Sequence, residues 1–255
     1  MKNNPLKLEI HDKTAIVTLD RPDVHNAVNA ETMSAFEECL DEIELNPEIR
    51  IIILAGAGAK TFCAGGDLKY FATLNSREAC LEMSHRMQAI LDRLYVGKRV
   101  VIAAINGQAL GGGCEILTAC HLRIAASHAT FSFRQAPNGI ITGWGGGRRL
   151  MKLLGKSQAL RLLLSGEKID VNEALRIGLV DQIAKPEMLM TTVEALAENI
   201  IRNSLAAVEA FLELSQRFDE NSPESLRQFE TETFADLWMG ENFREFLLRY
   251  IEKSS

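Results

Sequence analysis

Two short stretches of this 255-residue chain set a run of glycines directly ahead of an acidic side chain, "CAGGDL" at 63–68 and "LGGGCE" at 110–115. Glycine weakens helices and strands alike, so a chain that keeps such runs gains a close approach to its backbone. Each run follows an apolar, strand-like segment and opens a helix. A helix N-terminus carries unpaired N–H groups and the positive end of the helix dipole. If the two turns face each other, each directs one N–H at the same oxygen. A carbonyl oxygen that gains negative charge, as a thioester does on becoming an enolate, is stabilised by such a pair, and each donor is worth about 3 kcal/mol of barrier. Either turn alone is explained as well by close helix–strand packing, with Glu115 merely favouring a first helical turn. The two together, with that carboxylate one turn on, point to catalysis.

Spacing excludes other chemistries. A phosphate-binding reading of "LGKSQ" (154–158) needs glycine where Leu150 stands, and a dinucleotide reading of "GAGAKT" (56–61) needs glycine where Thr61 stands. No GxSxG elbow occurs. The five histidines, at 11, 25, 85, 121 and 128, lack paired ligand spacing, so no metal site is expected. The five cysteines (39, 63, 80, 114 and 120) include no CxxC pair and suit free thiols in a reducing compartment. The N-terminal residues show no secretory core, and no segment approaches eighteen apolar residues, so cytoplasm and no membrane partner are expected. A formal net charge of −6 argues against nucleic acid.

The elements that must position the glycine turns follow from periodicity. Residues 6–10 and 14–19 read as strands. Met33, Phe36, Leu40 and Ile43 recur at helical spacing, with Asn29 as N-cap and Asn46-Pro47 as stop. Residues 49–58 and 99–107 are buried strands running into glycines, 76–97 is a long amphipathic helix, 114–120 a helix, and "LRIAA" (122–126) a strand. Strand, glycine turn and helix thus repeat, which predicts stacked α/β units. Helices are predicted at 146–154, 157–164, 171–177, 187–214 and 223–251. The division is an α/β core over 1–190 and a helical region over 191–255, whose aromatic residues suit either a sister subunit or the chain's own core.

The order of "LDRPDVHNAVNAETM" (19–33), "KTFCAGGDL" (60–68), "VVIAAINGQALGGGCEI" (100–116), "ATFSF" with "NGI" (129–140), "GWGGGRRL" (143–150) and "ALRIGLVDQI" (174–183) resembles the enoyl-CoA hydratase/isomerase, or crotonase, superfamily over nearly the whole chain. The resemblance implies a spiral of ββα units, a C-terminal helical trimerisation region, homo-trimers or hexamers, and an acyl-CoA thioester substrate. It implies no metal or redox cofactor, CoA being part of the substrate. By position it assigns the two oxyanion donors to Gly66 and Gly112. CoA contacts fall near Val24, Ala64 and Gly65, and on Phe246 and Arg249, which would reach a neighbouring subunit's CoA.

The sequence departs from that pattern at one decisive place. Hydratases of the family set two glutamates around one water; here the first is Glu115, but the second position holds Gln135. An amide holds a water or a carbonyl and exchanges no proton near neutral pH. Glu115 is left as the single acid/base, with burial expected to raise its pKa. Trp144 replaces a small residue, and His121 an aspartate. With the tail "DLWMGENFREF" (236–246), these departures resemble the ethylmalonyl/methylmalonyl-CoA decarboxylase branch, where Arg134 would meet a substrate carboxylate or else point to solvent. Three readings stand: an acyl-CoA lyase that hydrates; a decarboxylase of a malonyl-type thioester or an isomerase; and a CoA-binding or assembly protein without turnover.

Overall fold

The computed structural model describes residues 4–218 and 222–245. The chain runs β1 (Leu6–His11), β2 (Thr14–Leu19), α1 (Ala30–Leu45), β3 (Ile51–Gly56), β4 (Thr61–Cys63), α2 (Leu68–Phe71), α3 (Arg77–Tyr95), β5 (Val100–Ile105) and β6 (Gln108–Leu110). It continues through α4 (Gly112–Leu117), β7 (Leu122–Ala126), β8 (Thr130–Ser132), α5 (Gly146–Ser165), β9 (Ile169–Asp170), α6 (Val171–Arg176), β10 (Gln182–Ala184), α7 (Leu189–Ile201), α8 (Leu205–Arg217) and α9 (Pro223–Met239). These strands make two sheets. Six strands are ordered β1-β2-β3-β5-β7-β10, and four are ordered β4-β6-β8-β9.

The two sheets grow together. β3 and β4, β5 and β6, and β7 and β8 each give one strand to the large sheet and one to the small sheet, and a helical segment follows each pair. Strands of successive units pair in parallel in both sheets. This is the ββα spiral of the crotonase fold. β3 and β5 are apolar and buried on both faces, apart from Gly56 at the end of β3, as strands inside a covered parallel sheet must be. The three-residue strands of the small sheet are too short to show an alternation, so the sequence pattern does not reveal them.

Side chains set the helix ends. The Asn29 side chain accepts from Thr32 N at 2.9 Å, and α1 stops at Asn46-Pro47. Its buried face is Met33, Phe36, Leu40 and Ile43, the periodic set expected, together with Thr32, Ala35 and Cys39. α4 starts at Gly112, inside the glycine run and earlier than the expected 114, because residues without side chains let the turn close against β4. A Cβ on Gly113 would lie 2.0 Å from the Cys63 carbonyl oxygen. α5 bends at Gly155, whose φ of +74° separates the two helices expected there.

The described residues form two compact units divided between Ala197 and Glu198, within α7. The boundary drawn from the sequence, after residue 190, falls at the start of that helix, whose buried Leu189, Val193 and Ala197 lie before the division. The helix expected over 187–214 is broken at 202–204. There the Asn203 N–H turns back to the Ile200 carbonyl, and Ser204, with a ψ of 126°, leaves the helical conformation before α8. In the second unit Phe234 stacks near Trp238 and Trp238 near Phe243, with ring centroids 5.4 and 4.3 Å apart. Among the described residues no helix is long and apolar enough to cross a membrane.

Candidate active site

The glycine turns end neighbouring strands of the small sheet. β4 pairs with β6, so the turns after Cys63 and after Leu110 leave the sheet side by side. They touch: a Cβ on Gly65 would lie 2.7 Å from Gly112 N and 2.9 Å from the Leu110 carbonyl oxygen. Gly65 also takes a φ of +91°, which a side chain would strain. Gly66 forms a bridge with Val28 in which Val28 N donates to the Gly65 carbonyl and Asp67 N to the Val28 carbonyl. That pattern leaves the Gly66 N–H itself unused. Among the described residues neither Gly66 N–H nor Gly112 N–H has an acceptor. Two amides from touching turns are thus unspent.

An aromatic ring lies against each of these glycines, Phe71 on Gly66 and Trp144 on Gly112, within 2.0 and 2.2 Å of where a Cβ would stand. Both positions therefore admit only glycine while the rings stay in place. Phe71 gave no signal in the sequence. Trp144 did, as a bulky residue in a glycine-rich phrase.

Glu115 lies in α4, 3% exposed, and its carboxylate is held at three points. Oε2 accepts from Trp144 N at 2.8 Å and from Gly146 N at 2.9 Å, and Oε1 accepts from Gln135 Nε2 at 2.9 Å. Gly146 is the first residue of α5, so the carboxylate closes the N-terminus of that helix. A Cβ on Gly146 would lie 2.4 Å from Glu115 Cγ, which explains the glycine there. Burial raises the Glu115 pKa, opposed by the two backbone N–H groups, by Gln135 and by the charge of Arg149. Gln135 is itself buried, and among the described residues its Oε1 has no partner. The structure therefore joins Glu115 and Gln135, twenty positions apart, in one polar contact.

Behind Glu115 stands a residue that the sequence reading passed over. Arg149 is 2% exposed and donates to the Trp144 carbonyl (2.6 Å), to Thr118 Oγ1 (3.2 Å) and to Asp92 Oδ1 (3.1 Å). The clue was available: an arginine on the inward face of a helix that opens with glycines has to be paired.

The other expected positions are scattered. Ala64 N donates to the His25 carbonyl at 3.0 Å, which brings Val24, 38% exposed, beside the first turn. Phe246 and Arg249 lie outside the described residues. Arg134 is exposed and donates to the Gly166 carbonyl at 3.4 Å, so of its two readings the structure favours the surface one. His121 Nδ1 accepts from Val101 N at 3.0 Å, and burial pushes its pKa down to about 4. Two surface clefts, of 390 and 210 Å³, border α1 with β1 and α1 with β5, and neither reaches Glu115.

Comparison with known proteins agrees with this architecture. The family model described as enoyl-CoA hydratase/isomerase matches residues 9–255. A short-chain-enoyl-CoA hydratase of Clostridium acetobutylicum is 36% identical over 253 residues, covering 99% of this chain and 97% of that protein. A crotonyl-CoA hydratase of Syntrophomonas wolfei is 32% identical, covering 96% and 94%. Among solved structures, an enoyl-CoA hydratase of Bacillus anthracis superposes with a TM-score of 0.92 at 30% identity, covering 98% of this chain and 96% of the other. The chain belongs to the enoyl-CoA hydratase/isomerase family.

Proposed function

We propose that this protein is an acyl-CoA lyase that adds water to a 2-enoyl-CoA, with Glu115 as its single acid/base. The observation that carries the reading is the pair of unspent amides, Gly66 and Gly112, on touching turns beside a buried, fully oriented carboxylate. The family needs no cofactor beyond the CoA carried by the substrate.

The thioester oxygen accepts from both amides. A water donates one hydrogen to Glu115 Oε1, which has a lone pair left beyond Gln135, and the other to the unpartnered Gln135 Oε1. The water oxygen bonds to the β-carbon and its proton passes to Oε1. The electron pair of the double bond moves onto the thioester oxygen as an enolate, where each N–H stabilises it more than it stabilised the ground state. Oε1 then returns the proton to the α-carbon, and the carboxylate is regenerated. Oε2 stays committed to Trp144 and Gly146, which fixes Oε1 as the moving-proton atom. The raised pKa brings Glu115 closer to neutral, where it exchanges protons more readily.

The amide at 135 also favours a second reading, in which one carboxylate or none is needed: double-bond migration, or loss of CO₂ from a malonyl-type CoA. Crotonyl-CoA separates the two by losing its enoyl absorbance on hydration, whereas a malonyl-type thioester releases CO₂. The proposal expects the first, and expects Glu115→Gln to lower it about 10²–10⁴-fold. CoA binding without turnover of either thioester contradicts both readings. The homo-trimer or hexamer implied by the resemblance is part of the same proposal. Exposed Phe211 and Phe234 on α8 and α9 support it, and light scattering tests it.

A further inference from the structure

We propose that Arg149 is the positioning residue that holds Glu115 in its working geometry, acting on the carboxylate through the Trp144 peptide and on the Glu115 backbone through Thr118. One guanidinium reaches both ends of the same residue. Its NH2 donates to the Trp144 carbonyl at 2.6 Å, and the N–H of Trp144 donates to Glu115 Oε2 at 2.8 Å. Its Nε donates to Thr118 Oγ1 at 3.2 Å, and that hydroxyl donates to the Glu115 carbonyl at 2.6 Å. The third donor, NH1, binds Asp92 on α3 at 3.1 Å. A planar fork with donors in fixed directions suits this task, and a lysine ammonium offers only a compact point charge in its place.

The surroundings support a role beyond filling space. Arg149 is among the largest fully buried side chains, and burying a cation is costly unless it is paired. A leucine or methionine would fill the volume without that cost. Asp92 does not depend on Arg149, since Arg148 donates to both its oxygens at 2.7 and 3.0 Å. The charged and titratable groups facing Arg149 are Asp92 and Tyr95 of α3, Glu115 of α4 and Arg148 of α5. The groups facing the Glu115 carboxylate are the N–H donors of Trp144, Gly146 and Gln135, with Arg149 as the charge behind them. Arg149 therefore also favours the ionised carboxylate.

The inference rests on Glu115 being the acid/base, and its test separates the two. Arg149→Met, Arg149→Lys and Thr118→Val are made in the full chain and assayed with crotonyl-CoA across pH, and the Met and Lys variants are crystallised without substrate. In Arg149→Met the Trp144 peptide loses its anchor and the 2.8 Å bond to Oε2 lengthens. There kcat falls about 10²-fold, as for a misplacement near 1 Å, with KM unchanged. The acid limb of the pH profile moves to higher pH, because a positive charge has left the carboxylate's neighbourhood. Arg149→Lys keeps the charge, so its limb stays in place while kcat falls about tenfold for one lost hydrogen bond to a charged group. Thr118→Val lowers kcat alone. If the methionine variant keeps both the Trp144–Glu115 bond and the parent's acid limb, the inference is overturned. If that variant does not fold, an unaltered kcat in both Arg149→Lys and Thr118→Val overturns it. Should the parent turn over no enoyl-CoA, the proposed function fails, and the crystallographic bond still decides this inference.

Discussion

A single methyl group at Gly146 should disable the enzyme while leaving its fold intact. A Cβ there would lie 2.4 Å from Glu115 Cγ, 2.7 Å from its Cβ and 2.8 Å from its Cα. Ordinary contact begins near 3.4 Å, so in Gly146→Ala the first turn of α5 and Glu115 must part by about 1 Å. The bonds from Gly146 N and Trp144 N to Oε2, at 2.9 and 2.8 Å, cannot survive that parting. A misplacement of that size costs about 10²-fold in rate, or close to 2.7 kcal/mol of barrier. Overpacking of this kind typically costs about 1–3 kcal/mol of stability, which a domain of ordinary stability survives. The matched control is Gly147→Ala. Its three nearest neighbours all belong to the half-buried Thr142, whose hydroxyl, 2.6 Å from the added methyl, can rotate away by giving up its bond from Gly147 N. Single-turnover hydration of crotonyl-CoA, read beside thermal melting, compares the two. A Gly146→Ala enzyme as fast as the Gly147→Ala control would refute the reasoning that the α5 N-terminus orients the carboxylate.

Gly65→Ala should separate the two turns, because its methyl would sit 2.7 Å from Gly112 N at a φ of +91°. Its kcat is expected to fall about 10²–10³-fold, as for one lost oxyanion donor, and a folded variant at full rate would contradict the geometry. Gln135→Glu restores a second carboxylate against Glu115 Oε1; steady-state kinetics should show crotonyl-CoA hydration rising by about 10²-fold, and no gain would count against hydration as the reaction. His121 has its pKa pushed down from 6.5 to about 4 by burial, so the folded state gives up stability as pH falls from 6.5 toward 4, where the unfolded chain takes up the proton first. Denaturant titrations at pH 7 and pH 5 should differ by about 2 kcal/mol from this residue, and His121→Asn should remove that difference.

The sequence made the long elements legible because they have a period to read. α1 and α3 carry apolar positions at helical spacing with Asn29 and Ser76 as caps, and β3 and β5 are unbroken apolar runs. The small sheet escaped because β4, β6 and β8 hold only three residues each, and yet those strands bring Gly65 against Gly112. Of the site, the glycine turns and Glu115 showed themselves through residue type: a glycine run and a carboxylate are rare together. Gln135 was legible only through family likeness. Arg149 and Gly146 meet Thr118 and Glu115 across 31 positions of chain, and no local pattern encodes which residue a folded helix end will meet. Phe71 follows Gly66 closely in the chain, but nothing in the phrase marks its ring as turning back onto that glycine.

The most direct measurement is a crystal structure of the protein with a non-reacting acyl-CoA bound. The account predicts the thioester oxygen about 2.7–3.1 Å from both Gly66 N and Gly112 N, with Glu115 Oε1 facing the α- and β-carbons. A thioester oxygen held by any other donors, with those two amides still unspent, would contradict it.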